Sequence, residues 1–458
     1  MRDLAFSLIV IGLLPVCFRR PFIGLLVFSW LAYMRGQDLT WGFARDARWS
    51  YYVAIVTLLG FYAGERQRLF LPDLRNWMML ALVAIVGVGI LLSRNNNPDA
   101  YQFARYVEFC KIVGVALFTT GVCRTREQLR VLVWVIALSL GFLGVKYGVW
   151  GILTLGRGQI LQGPGGLLAD NNDFSLAMAM CMPLLLNIGL SERREVLRRA
   201  FLLMVPLVVI TVVLTHSRGG FLSIAGVFCV LAWRSRNRIA ALLLLVLIAI
   251  GGWIIVPSSY KERISSISTS EASAAGRLKS WAVATRMAAD NPILGVGFGH
   301  FRQHYLEYEP NPTPGQLSGK DLIVAHNSYL QIWAECGTPA FLIYLAVIAM
   351  TILSLWRVRR RAKEVYAASW IINYANMFEA TLVAFLIGST FLNRGHFDLL
   401  YHFIAVVMIF ERVALEEIAE PHKFRDKGRT RGELAFVPAR GFGVRLARRG
   451  FRTSGAEG

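Results

Sequence analysis

Charge is scarce in this sequence, and negative charge scarcer still. Only 17% of the 458 residues are Asp, Glu, Lys or Arg, and 29 acidic residues stand against 49 Lys and Arg. A soluble globular chain carries roughly 25% charged residues, so this composition excludes an ordinary water-facing domain. The six cysteines show no paired spacing, and Cys17, Cys110, Cys181 and Cys229 lie inside apolar runs. They form neither a disulfide framework nor a thiolate cage and read as small buried hydrophobes. There is no HExxH, no paired CxxC, and no Asp-x-Asp of the kind that holds a divalent ion on a nucleotide-sugar diphosphate. The glycine-rich "GVGFGH" (295–300) matches neither the dinucleotide nor the P-loop pattern, follows no strand, and reads as a flexible loop. No metal and no nucleotide cofactor is implied.

Apolar sequence is what the chain has in quantity: it is 55% hydrophobic, with a mean hydropathy of +0.49. Runs such as "WMMLALVAIVGVGILLS" (77–93) and "RIAALLLLVLIAIGGWIIV" (238–256) are apolar on every face. A bilayer crossing takes about 20 such residues. Segments near 4–18, 21–34, 50–64, 77–93, 103–122, 129–155, 173–190, 199–215, 219–233, 238–256, 338–356, 371–392 and 399–413 predict an all-α polytopic bundle of 12 or 13 spans. The first two are short and broken by Pro15 and Pro21. The N-terminus has no small-residue cleavage site and reads as an uncleaved first segment.

The formal charge of +20 does not point to nucleic acid, because of where it falls. Basic residues cluster in "CRTREQLR", "SERREVLRR", "RSRNR", "RVRRRAK" and the tail after Pro421. That alternation is the positive-inside pattern of cytoplasmic loops. It places "SRNNNPD", "GRGQILQGPGGLLADNND", "THSRGG" and "NRGHFD" outside. The expected division is an N-terminal transmembrane bundle (1–256), a long outer loop (257–337), C-terminal transmembrane helices (338–413) and a basic, disordered cytoplasmic tail (414–458). A loop that long exceeds what a connector needs and is usually functional. Within it "SAAGRLKSWAVATRMAADNP" predicts an amphipathic helix, capped by Ser273 and stopped at Asn291-Pro292, with Leu278, Trp281, Thr285 and Ala288 on one face.

Four places could carry chemistry. Asp170 and Asp173 precede an apolar helix, where capping is the expected role of Asp173 and Asn172 could meet a polar ligand. Arg218 lies in "VVITVVLTHSRGGFLSIAG", between apolar spans with almost no loop. A cation so near hydrocarbon faces a cavity or counter-ion, or snorkels to lipid phosphates; both readings stay open for Arg218 alone. Arg277, taken singly, reads as an ordinary polar-face residue. Both arginines fall on the side where the positive-inside rule disfavours them, and together they suit a polyanion, since guanidinium forks match phosphate oxygens. A diphosphate at a membrane surface means a lipid diphosphate. His326 opens "HNSYLQIWAECG" at the end of the long loop. A histidine at a helix start is more often a cap or a packed side chain, yet a neutral imidazole can take a hydroxyl proton, with Asn327 and Tyr329 able to orient it.

The segments "NNDFS", "HSRGG", "AAGRLKSW" and "AHNSYLQIWAECGTPA", in that order, resemble the O-antigen ligase and polymerase superfamily of bacterial envelope enzymes. The N-terminal "MRDLAFSLIVIGLLP…RRPFIGLLVFSWLAYM" also resembles O-glycosylation ligases of exosortase systems. The resemblance implies a multi-pass inner-membrane enzyme with its active site facing the periplasm and its C-terminus in the cytoplasm. It implies transfer of a glycan from undecaprenyl diphosphate to a hydroxyl, with lipid A–core as the leading acceptor and a protein or glycan as alternatives. Carried over, His326 becomes the catalytic histidine and Arg218 and Arg277 the diphosphate ligands; Asn327, Tyr329, His216 and Asn172 are secondary candidates. No carboxylate nucleophile is evident, so a single inverting displacement without metal is expected. A polymerase would use the same chemistry. A flippase for the same lipid-linked glycan is the alternative of a different class, but transporter sites sit near the midplane, whereas here the distinctive polar residues gather on one outer side.

Overall fold

The computed structural model describes residues 1–64, 68–92, 100–166, 168–235, 238–239, 271–318, 323–365 and 370–420. Its helices are α1 (Arg2–Arg19), α2 (Pro21–Met34), α3 (Phe43–Asp46), α4 (Trp49–Gly64), α5 (Leu74–Leu91), α6 (Ala100–Val122), α7 (Arg126–Leu153), α8 (Asn171–Ser191), α9 (Glu195–Leu214), α10 (Arg218–Arg234), α11 (Glu271–Asp290), α12 (Tyr305–Tyr308), α13 (Pro314–Leu317), α14 (Ser328–Val365), α15 (Trp370–Ser389) and α16 (Asp398–Ala419). The only strands among the described residues are β1 (Gln162–Gly165) and β2 (Leu168–Asp170), an antiparallel pair just before α8. The chain is an all-α membrane protein.

Six of these helices, α5, α7, α8, α9, α14 and α15, are both long and apolar enough to cross a bilayer. That is fewer than the 12 or 13 spans expected, and the shortfall has physical causes. α6 carries Arg105, Glu108 and Lys111, and α16 carries Asp398, Glu411, Arg412, Glu416 and Glu417. α1 includes Arg2, Asp3 and Arg19, while α2, α4 and α10 have at most 17 residues. Residues 240–256 of one expected segment, and the basic tail from 421, lie outside the described residues. Several charges on these and neighbouring helices are paired inside the bundle. Arg75 bonds Asp73 and Glu411, and Arg126 reaches Glu417. Arg234 and Arg359 share Glu379. Paired in this way, an ion inside the bundle avoids most of the cost of an isolated charge in hydrocarbon.

Helix starts follow capping chemistry. Thr125 and Gln128 form a capping box at α7, Asp73 caps α5, and Ser217 caps α10 by accepting from the Gly220 N–H. α8 lies at the centre: 78% of its most apolar window is buried, against 22% for α9. It packs on α7, α9, α10 and α15. The buried apolar core runs from Leu25 to Ala414 without interruption between the halves of the chain. Not every cysteine is inside it, since Cys229 is exposed and Cys110 partly so.

α11 buries Ser280, Val283, Ala284, Met287 and Ala288. The face expected from Leu278 and Thr285 is therefore rotated, and Leu278 is 63% exposed. The stripe packs against Phe301, Tyr305, Ala325 and Ala334, which sets its orientation. Asn291 closes the helix by donating to the Met287 carbonyl. The helix already begins at Glu271, so Ser273, the expected cap, stands inside it.

Candidate active site

The glycine-rich stretch 295–300 is fixed, not loose. Val296 N–H donates to Ala334 O at 2.9 Å, Gly297 N–H to Glu335 O at 3.2 Å, and Thr338 N–H to Pro292 O at 2.7 Å. Gly295 and Gly337, both at positive φ, permit this approach; a Cβ on Gly337 would lie 2.3 Å from Ile293 O. Gly337 (φ 80°, ψ 176°) also breaks α14, leaving a short helix 328–336 that precedes the long one. Asn327 is the N-cap of that short helix: its Oδ1 accepts from Tyr329 and Leu330 N–H.

The short helix is fastened to the end of α15 and to the segment after it. Tyr329 donates its hydroxyl proton to Leu386 O (3.0 Å) and accepts from Ser389 Oγ. Ser328 Oγ donates to Leu392 O and accepts from Arg394 N–H, while Gln331 Oε1 accepts from Gly395 N–H. Asn327 and Tyr329, two of the secondary candidates, thus have demonstrable anchoring roles. The residue just before them is His326, half-buried and held at φ 47°. Left-handed backbone outside glycine costs on the order of 1–3 kcal/mol and collects at functional sites. His216 stands at φ 53° in the turn before α10.

Arg218 opens α10, and "SRGG" has a packing explanation. A Cβ on Gly220 would fall 1.6 Å from Ser175 Oγ, and one on Gly219 3.3 Å from Phe391 Cβ, so the two glycines seat this helix start against α8 and the 388–392 turn. Phe391 in turn lies under the Arg277 guanidinium, 5.8 Å from its ring centre. Burial lowers the Arg277 pKa, and the Arg218 charge lowers it further. The His326 pKa is likewise lowered from 6.5, first by burial and then by Arg277, with Asp170 opposing. His326, Arg277, Arg218 and Asp170 therefore act within one electrostatic field.

Asp170, not Asp173, caps α8, accepting from the N–H groups of Asn172 and Asp173. Asp173 is instead buried in an ion pair with Arg394, whose Nε donates to Oδ2 at 2.6 Å. Asn172 donates to Asn171 Oδ1, and Asn171 donates to Thr215 O beside His216. Arg394, Phe391 and the role of Asp170 escape a motif reading. Arg394 was still detectable by the criterion that singles out Arg218, a cation in a very short link between two apolar runs. Among the described residues no three His, Cys, Asp or Glu side chains converge as a metal site would require.

Residues 200–345 match the family model described as O-antigen ligase. Over that stretch the chain is similar to the O-antigen ligase family. His326, Arg218, Arg277 and His216 all fall within it, which supports ligase- or polymerase-type glycan transfer as the general activity. Asp170 and Asn172 belong to residues 1–188, which match a family of unknown function, while Arg394 follows the ligase domain in sequence. A comparison with curated proteins finds no match.

Proposed function

We propose that the protein is an O-antigen ligase that moves a glycan from undecaprenyl diphosphate to a hydroxyl of lipid A–core oligosaccharide. The site faces the periplasm, on the loop 257–337 and the helix ends beside it, with the basic tail in the cytoplasm. One observation carries the reading: a half-buried histidine whose pKa is lowered by burial and by a neighbouring arginine, with a second arginine in the same field. Neutral His326 accepts the acceptor's hydroxyl proton as the oxygen attacks the anomeric carbon. The carbon–oxygen bond to the diphosphate breaks, and its electron pair leaves with the phosphate. Arg218 and Arg277 stabilise that growing negative charge, the task a divalent ion performs in other transferases. Asp170 stabilises the imidazolium that forms. The displacement is single and inverts the anomeric centre.

His326→Ala should lower transfer by purified enzyme with lipid-linked donor by about 10²–10⁴-fold, with thermal stability near wild type. Near-wild-type transfer would remove His326 from the mechanism. A deletion strain separates the acceptors. Loss of the long lipopolysaccharide ladder with accumulation of lipid-linked glycan supports the ligase reading. An intact ladder with a missing glycoprotein would overturn the lipid A–core assignment in favour of protein O-glycosylation, the reading favoured by the N-terminal resemblance. A ladder reduced to one repeat would identify a polymerase.

A further inference from the structure

A small polar pocket of about 60 Å³ lies where the start of α7, the end of α8 and the start of α15 meet. All three helices are long and apolar enough to cross a bilayer. The pocket is at the opposite end of the bundle from His326. α8 runs from Asp170, in the field of that histidine, to Ser191 at the pocket, and its 21 residues span about 31 Å. α15 makes the same crossing, from Trp370 in the pocket to Ser389, which bonds Tyr329. None of Asp170, Arg218, Arg277 and His326 lines it.

Donors dominate the lining. Arg126 and Arg130, one turn apart on α7, both reach it. Arg130 makes no ion pair among the described residues, and its guanidinium lies 5.5 Å from the centre of the Trp134 ring. Arg126 stands 4.3 Å from the Trp370 ring and makes one long contact, 3.5 Å, with Glu417. Glu417 itself is outside the lining, where both its oxygens accept from the Trp370 indole N–H at 3.0 Å. The half-buried Asn187 and Asn373 amides and the Tyr374 hydroxyl also face the pocket, and make no side-chain hydrogen bond among the described residues. Glu192 is the one lining carboxylate, and its Oε1 accepts from the N–H groups of Arg193 and Arg194. Two guanidiniums against one carboxylate leave the lining with one net positive charge.

Size and chemistry select the occupant. A water-sized group takes about 10–15 Å³, so the pocket holds about four to six of them, enough for a phosphate and its oxygens. A sugar ring or a nucleotide needs more, since small-molecule pockets begin at about 300 Å³. An ammonium group would find the two indole faces covered by guanidiniums. An apolar group would leave the guanidiniums and amides without acceptors. Guanidinium forks match phosphate oxygens, and one net positive charge balances a phosphodiester. The surroundings say what bears it. Trp134 and Trp370 are side chains of the bilayer interface. Leu138, 40% exposed, follows Trp134 by one turn on the same face of α7 and extends an apolar lane away from the pocket. The exposed Arg193 and Arg194 follow Glu192 directly, where they would repel an ammonium headgroup. We propose that this pocket binds the phosphodiester of an anionic phospholipid, in the leaflet opposite the candidate active site. The proposal does not depend on the transferase reading above.

The test is native mass spectrometry of the full-length protein in detergent. It is titrated separately with phosphatidylglycerol, phosphatidylethanolamine and glycerophosphoglycerol, the headgroup diester without acyl chains. Phosphatidylglycerol should bind about tenfold more tightly than either of the others. Arg130→Gln, which breaks no ion pair, should weaken its binding by about tenfold or more, and Asn373→Ala should weaken it by less. Glu192→Gln keeps the acceptor for the Arg193 and Arg194 N–H groups but removes a negative charge, so it should tighten binding. Unchanged affinity in both Arg130→Gln and Asn373→Ala would overturn the proposal. Weaker binding in Glu192→Gln would do the same, since it would mean a cationic group in the pocket. Phosphatidylethanolamine binding as tightly as phosphatidylglycerol would overturn the choice of an anionic lipid, and equal binding of glycerophosphoglycerol would reassign the pocket to free phosphodiesters.

Discussion

Breaking the Asp173–Arg394 pair should destabilise the protein unequally, depending on which partner is removed. Asp173 is 3% exposed and Arg394 27%. The attraction of two unit charges at contact is on the order of 4 kcal/mol at an effective dielectric of about 20, much of it offset by desolvation. Arg394→Gln leaves a carboxylate sealed between α8 and the 390–397 segment without its cation, so the loss should be about 3–5 kcal/mol. Asp173→Asn leaves a cation that is partly solvated and still feels Asp398 and Asp170. Its loss should be nearer about 2 kcal/mol, within the range for an unsatisfied polar group. The double variant should be no worse than Arg394→Gln alone, giving a coupling energy of about 2 kcal/mol. Equilibrium unfolding of the four proteins in bicelles measures the cycle. Additive losses, or a greater loss for Asp173→Asn, would refute the reasoning.

Three further outcomes are expected. Because the acting form of His326 is neutral, transfer should fall as pH drops through its lowered pKa, below 6.5; Arg277→Gln should move that acid limb of kcat/KM upward, and an unmoved limb would disprove the coupling. Arg218→Lys and Arg277→Lys should each lose most activity, with Arg277→Lys leaving the acid limb in place because the charge remains; full rates in both would discard the argument from guanidinium geometry. Gly337→Ala should cost at least about 1–3 kcal/mol from backbone conformation alone, with added overlap on Ile293 and a lower melting temperature; a wild-type melting temperature would show that the break at 337 is not needed.

The helical membrane character was legible because long apolar runs have few other uses, and the order of "HSRGG", "AAGRLKSW" and "AHNSYLQIWAECG" picked out Arg218, Arg277 and His326, which the fold brings into one electrostatic field. The exact spans were not, since charges interrupt the apolar pattern of α6 and α16, and the partners of Glu411 and Glu417 in α16 stand on other helices. Asp170 and Asp173 both satisfy a capping pattern, and only the buried Arg394 separates their roles. Local sequence likewise misread 295–300, where glycine reads as freedom although here it allows one backbone to lie against another. The face of α11 depends on residues as distant in sequence as Ala334, which a helical wheel does not contain.

The central placement of α8 also bears on how such proteins can be rearranged. Its residues fall in the region matching the family of unknown function, yet its neighbours α9 and α10 belong to the ligase domain and α15 lies beyond it. Sequence divides the chain near residues 188 and 200, at the short link between α8 and α9, but the packing is not divided there. The two regions are therefore not interchangeable modules. A chimera joined at that link would set an α8 from one parent against α9, α10 and α15 from another, and would require matched substitutions across all of those contacts. Descent should accordingly have kept the two halves together, with changes on one side of α8 answered on the other.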